Sequence, residues 1–129
     1  MYRKTISMWR YPLTLLALFG LLWLALAIAP VYRQDWLLEN VLVFIAVPIL
    51  VLTARRLRFS NFTYTCLFTF FSLHAIGAHY TYALVPYDEW FRALTGGTLN
   101  ELLGFERNHF DRLVHFLYGL LVAPAAVEI

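Results

Sequence analysis

Residues 62–85 read FTYTCLFTFFSLHAIGAHYTYALV, 24 positions without a Lys, Arg, Asp or Glu. A helix rises about 1.5 Å per residue and the hydrocarbon layer of a bilayer is about 30 Å thick, so this run is long enough to cross it. Three more apolar runs flank it, at 13–29, 37–54 and 113–127, and together the four occupy more than half of the 129 residues. Hydrophobic residues make up 61% of the chain and charged ones 14%, against about 45–50% and about 25% in soluble domains. The expected fold is therefore all-α, a polytopic transmembrane bundle of four helices at approximately 11–29, 37–54, 62–85 and 109–127. It forms a single integral membrane domain over 1–129, with the lipid bilayer as its obligate partner.

The same figures exclude a disordered chain and a disulfide-stapled module, since Cys66 is the one cysteine. A net charge of +2 is too small for a nucleic-acid footprint. The first run follows Arg3, Lys4 and Arg10 and ends in Ala27-Ile28-Ala29, the shape of a cleavable signal peptide. Pro30 after that site and the length of the run favour a retained anchor. Arg3, Lys4, Arg10, Arg55, Arg56 and Arg58 gather six positive charges on one side of the membrane, whereas Arg33 stands beside Asp35 and Glu39 in the first connection. By the positive-inside rule the N-terminus is cytoplasmic and 86–108 is an outer elbow. Gly96-Gly97 breaks that elbow, and Thr98 with Glu101 predicts a capping box opening a short amphipathic helix.

Ionisable side chains are costly in hydrocarbon, so those on the third and fourth helices are the candidates for function. On a helix running to Val85, His79 lies roughly 9 Å and His74 roughly 16 Å from that end. Both share an arc with Tyr82 and with Ala75 and Ala78, whose small side chains suit close helix packing. On the fourth helix Asn108, Asp111, Arg112 and His115 follow i, i+3, i+4, i+7 spacing and share one face. Antiparallel helices bring the two sets together. His74, His79, Asp111 and His115 have the donor types for a divalent transition metal such as zinc. Asp111 and His115 are equally candidates for acid/base catalysis with Arg112 as an anion clamp, and Tyr82, Asn108 and Arg112 for substrate binding. Plainer readings stand beside these: Asn108 as an N-cap with Asp111 complementing the helix dipole, His109 as a solvated residue, and His74 and His79 as interhelical hydrogen-bonding groups. Glu128 lies about 20 Å along the helix from His115, at the opposite side.

Trp36-Leu-Leu-Glu39, Leu73-His74, Tyr80-Thr81-Tyr82-Ala83, Val85-Pro86, Arg107-Asn108-His-Phe-Asp111-Arg112 and His115-Phe116 with Gly119 resemble the bacterial YjdF-type inner-membrane proteins over roughly 90 residues. Asp111-Arg112-Leu-Val-His115-Phe116 is also similar to the D-K-x-x-H-F element of VanZ-like membrane proteins, with Arg112 where Lys is usual. Members of the first family continue through further helices and an acidic segment resembling G-D-x-W-D, which the sequence up to Ile129 does not contain. The resemblance implies that such a segment adds carboxylates to the His74 and His115 cluster. It names no substrate. Two functions follow as expectations: a site for a metal or for a lipid-linked or cell-envelope substrate, or a non-enzymatic assembly or small transport component, homo-oligomeric or joined to a membrane partner through its polar residues.

Overall fold

The computed structural model describes residues 2–82, 84–97 and 110–129, with side chains from residue 8 onward, and the regular elements among them are all helical. They are α1 (Tyr2–Ala27), α2 (Arg33–Glu39), α3 (Val41–Thr53), α4 (Asn61–His79), α5 (Tyr87–Thr95) and α6 (Phe110–Glu128). Met8–Ala27, Arg33–Thr53 and Phe110–Glu128 are each long and apolar enough to cross a bilayer. The second of these joins α2 to α3 through a break at Asn40, where helical hydrogen bonding continues from Asn40 N–H to the Trp36 carbonyl (3.0 Å) and from Phe44 N–H to the Asn40 carbonyl (2.9 Å).

The helix at the centre is α4, with α1 and α6 packed along it and α2 against its far end. Leu67, Phe70, Phe71 and Ala75 of α4 meet Phe19 of α1, Val43 of α3 and Phe110 and Val114 of α6 in the core. Several hydroxyl side chains interrupt the apolar surface of α4, and those of its threonines find partners within the protein, which is what an apolar surround demands. Thr65 and Thr69 hydroxyls donate back to the carbonyls of Asn61 (2.8 Å) and Thr65 (2.9 Å), the i−4 pattern open to Ser and Thr in helices. Tyr11 of α1 reaches the Thr65 hydroxyl as well.

Each end of the bundle is locked by capping across helices. Pro12 has no N–H, so it cannot bond the carbonyl of Met8 four residues earlier. Arg58 supplies the missing donor, Nη2 to Met8 O at 2.6 Å, while its guanidinium lies 5.3 Å from the centre of the Trp9 ring. Ser60 is the N-cap of α4, its hydroxyl accepting from Thr63 N–H. Glu128, arriving from the last turn of α6, accepts from Ser60 N–H (2.7 Å) and the Ser60 hydroxyl (2.8 Å), and from the Thr63 hydroxyl. A carboxylate there satisfies free N–H groups and complements the helix dipole. This separates Glu128 from the His74 end, as the spacing predicts, and gives it a capping role that the sequence does not reveal.

Several expected boundaries change: the first helix begins at Tyr2 rather than 11, and the second at Arg33 rather than 37. The third helix stops at His79 rather than 85, because Thr81 (φ 56°) and Tyr82 (φ 58°) are left-handed. Tyr82 N–H bonds the Gly77 carbonyl at 2.6 Å and Thr81 N–H the Ala78 carbonyl at 3.4 Å, the paired bonds of a Schellman ending. His79 therefore sits in the last turn of a helix rather than deep within one. Among the described residues of the elbow the helix is α5, which ends at Gly96 in the left-handed region (φ 82°). The capping box expected at Thr98 and Glu101, together with Asn108 and His109, lies outside the described residues.

Candidate functional site

At the His74 end, α2, α3, α4 with the turn that follows it, and α6 border a half-open cavity of about 600 Å³. α2 contributes Asp35, Leu38 and Glu39; α4 contributes Phe70 and His74; the turn contributes Thr81 and Tyr82; α6 contributes Asp111, Val114, His115 and Tyr118. Three carboxylates and two imidazoles thus share one space, and none of the described residues lining it is Lys or Arg. The floor is aromatic: Phe70 stacks on His74 with centroids 6.1 Å apart, and Tyr118 meets Phe70 edge-on at 5.4 Å.

His74 is 5% exposed, and both its ring nitrogens are engaged. Nε2 lies 2.8 Å from the Glu39 carbonyl, which can only accept, so Nε2 carries the proton. In the neutral ring Nδ1 is then the acceptor, and the Tyr82 hydroxyl donates to it at 2.5 Å. The imidazole holds α2 to α4 on one side and orients Tyr82 on the other. Metal ligation by His74 would require one of these bonds to open.

Two features of the chain place Tyr82 there. Gly77 leaves room, for a Cβ at that position would come within 2.5–2.8 Å of the Tyr82 ring. The left-handed pair Thr81-Tyr82 turns the backbone back over α4, and the Thr81 hydroxyl donates to Asp35 Oδ2 at 2.8 Å. A β-branched residue at positive φ is a strained choice. Thr81→Gly and Thr81→Ala both remove the hydroxyl, but only the second keeps the strain. The glycine variant is expected to be the more stable by roughly 1 kcal/mol in thermal unfolding; equal melting of the two would show that the turn stores none.

On α6, His115 Nδ1 donates to the Asp111 carbonyl at 2.8 Å, leaving Nε2 as the acceptor in the neutral ring. Asp111 Oδ1 accepts from Arg112 N–H at 2.9 Å, so this carboxylate also serves the first turn of its helix. Arg112 is exposed and does not line the cavity.

Of the residues singled out in the sequence, the structure thus brings His74, Tyr82, Asp111 and His115 to one cavity, and places Arg112 beside it. His79 goes elsewhere. Its Nδ1 donates to the Leu26 carbonyl at 2.6 Å, and its own carbonyl accepts from Val31 N–H at 2.9 Å. With Arg33 Nη1 on the Ala27 carbonyl at 2.9 Å, it caps the end of α1. Among the described residues no three His, Cys, Asp or Glu side chains gather as a metal-binding group. The sequence reading missed Asp35, Glu39, Thr81 and Tyr118. Asp35 and Glu39 are four apart, the spacing that shares a helix face, and that spacing was the available signal.

Residues 11–129 match the family model described as predicted membrane protein, DUF2238. Over 97 residues, 75% of this chain, the sequence is 39% identical to the inner membrane protein YjdF of Escherichia coli (strain K12), of which the match covers 43%. The chain therefore spans less than half of that relative's length. No solved structure matches it. The VanZ-like resemblance of 111–116 gains no support from these matches. Their coverage decides the affiliation: the chain belongs to the DUF2238 family of membrane proteins.

Proposed function

We propose that this chain forms a polar site on the outer side of a bacterial inner membrane, and that the site receives the head of a lipid-linked or cell-envelope substrate. The observation that carries this reading is the cavity at the His74 end, acidic through Asp35, Glu39 and Asp111 and floored by aromatic rings. Carboxylates with no lining Lys or Arg among the described residues favour a cationic or hydroxyl-bearing group over a bare phosphate. Asp111 and His115 are the acid/base candidates, His115 through Nε2, and exposed Arg112 beside the cavity suits a phosphate at the membrane surface. The outward orientation rests on Arg55, Arg56 and Arg58, which lie at the opposite end of α4.

A divalent metal is the weaker form of this reading, because His74 uses both nitrogens and His79 caps α1. The non-enzymatic alternative is favoured by the same bonds: His74, His79 and Glu128 each join two segments of the bundle.

The test is native mass spectrometry of protein extracted from envelopes in mild detergent, wild type beside Asp111→Asn and His115→Ala. The expected result is an amine- or hydroxyl-rich amphiphile retained by the wild type and reduced at least ~10-fold in both variants, about 1.4 kcal/mol of binding, with equal accumulation in membranes. Equal retention in all three overturns the substrate reading. About one zinc or other divalent metal per chain, lost in the variants, would replace it by the metal reading.

A further inference from the structure

At the Arg58 end, away from the acidic site, α1, α3 and α4 stand apart around an apolar cleft of about 760 Å³. Trp9, Leu16 and Phe19 of α1, Val47 of α3 and Phe71 of α4 line it, and Arg55, just past α3, stands at one end. We propose that this cleft is a binding site for one anionic phospholipid, with an acyl chain between the helices and the headgroup phosphate on Arg55.

Three observations select that occupant. The first is chemistry: all but a few of the lining groups are apolar, and Leu16 and Val51 are substantially exposed, at 39% and 52%. Water finds few polar partners in such a space, whereas an acyl chain fills it. The second is length. From Trp9 to Phe19 along α1 is about 15 Å at 1.5 Å per residue, half of the roughly 30 Å hydrocarbon layer and so the depth of one leaflet. The third is charge at the end where a headgroup would lie. Arg55 is exposed and lines the cleft, and Trp9, which lines it too, is a residue type that settles at headgroup level. Basic pockets between membrane helices recognise anionic lipid heads in this way. Arg58 is not available for the task, because its guanidinium is held on the carbonyls of Met8 and Phe59.

The full chain would be placed in nanodiscs with equal phosphatidylglycerol and phosphatidylcholine, and the retained lipid counted by native mass spectrometry after release. The wild type is expected to keep about one lipid with a roughly fivefold preference for phosphatidylglycerol. Arg55→Gln removes that preference, while Arg56→Gln, exposed but outside the cleft, leaves it in place. Leu16→Trp fills the cleft and lowers retention of both lipids. A preference reduced equally by Arg55→Gln and Arg56→Gln would mean general attraction to a basic end, and overturns the site. A dimer that retains no lipid would overturn it too, by assigning the cleft to a second copy.

Discussion

Gly77→Ala is expected to expel the Tyr82 ring from its place over α4 and to cost about 2 kcal/mol. Two effects oppose each other in this substitution. Ala is the better helix former, by roughly 0.8–1 kcal/mol. Against this, its Cβ would stand 2.5 Å from the Tyr82 ring, and overpacking of this kind costs about 1–3 kcal/mol. The ring has little freedom to give way: its hydroxyl is held on His74 Nδ1 at 2.5 Å, and its backbone N–H on the Gly77 carbonyl at 2.6 Å. Moving it also breaks the His74 hydrogen bond, worth about 1 kcal/mol. The clash therefore outweighs the helix propensity. Nitrogen NMR of the His74 ring reads the outcome directly, since Tyr82→Phe supplies the signal of a ring without its donor. Gly77→Ala should give that signal and a lower melting temperature; wild-type values for both would show that Tyr82 does not depend on Gly77.

This packing explains what was legible in the sequence and what was not. Apolar length alone yields the spans Met8–Ala27, Arg33–Thr53 and Phe110–Glu128, because a bilayer imposes one requirement on every span. His74, Tyr82, Asp111 and His115 were also legible, since ionisable and polar groups within long apolar runs stand out. Other features depend on contacts between segments distant in sequence. Asp35 and Glu39 read as charges in a connection, and become cavity walls only because α2 folds against the end of α4. His79 shares an arc with His74 on an ideal helix, yet the helix stops at His79 and the ring turns to the last carbonyls of α1. Glu128 reads as a terminating charge, and its role as a cap exists only once α6 returns beside Ser60. The left-handed Thr81 and Tyr82 were the hardest to foresee, since neither residue type favours that conformation.

Asn40→Leu is expected to have the second large effect, at the same end of the molecule. Asn40 is 1% exposed and joins three segments: its Oδ1 accepts from Trp23 Nε1 at 2.7 Å, and its Nδ2 donates to the Trp36 carbonyl at 2.7 Å. Trp23 and Trp36 pack with centroids 5.5 Å apart, so the amide secures an aromatic contact between α1 and α2. Leucine preserves the bulk but leaves the indole N–H unpaired, at a cost of about 1–3 kcal/mol. Interhelical bonds within membranes average about 0.6 kcal/mol and reach about 1.7, which favours the lower part of that range. The decisive measurement is a double-mutant cycle by reversible unfolding in detergent. With Trp23→Phe already present no N–H remains to be orphaned, so Asn40→Leu should cost roughly 1 kcal/mol less than in the wild type. Equal costs in the two backgrounds would show that the bond carries no energy of its own. The consequence reaches the cavity, because Asn40 follows Glu39, whose carbonyl accepts from His74. Loosening this corner should free the His74 ring as well, and its nitrogen signals should shift with the stability loss in Asn40→Leu.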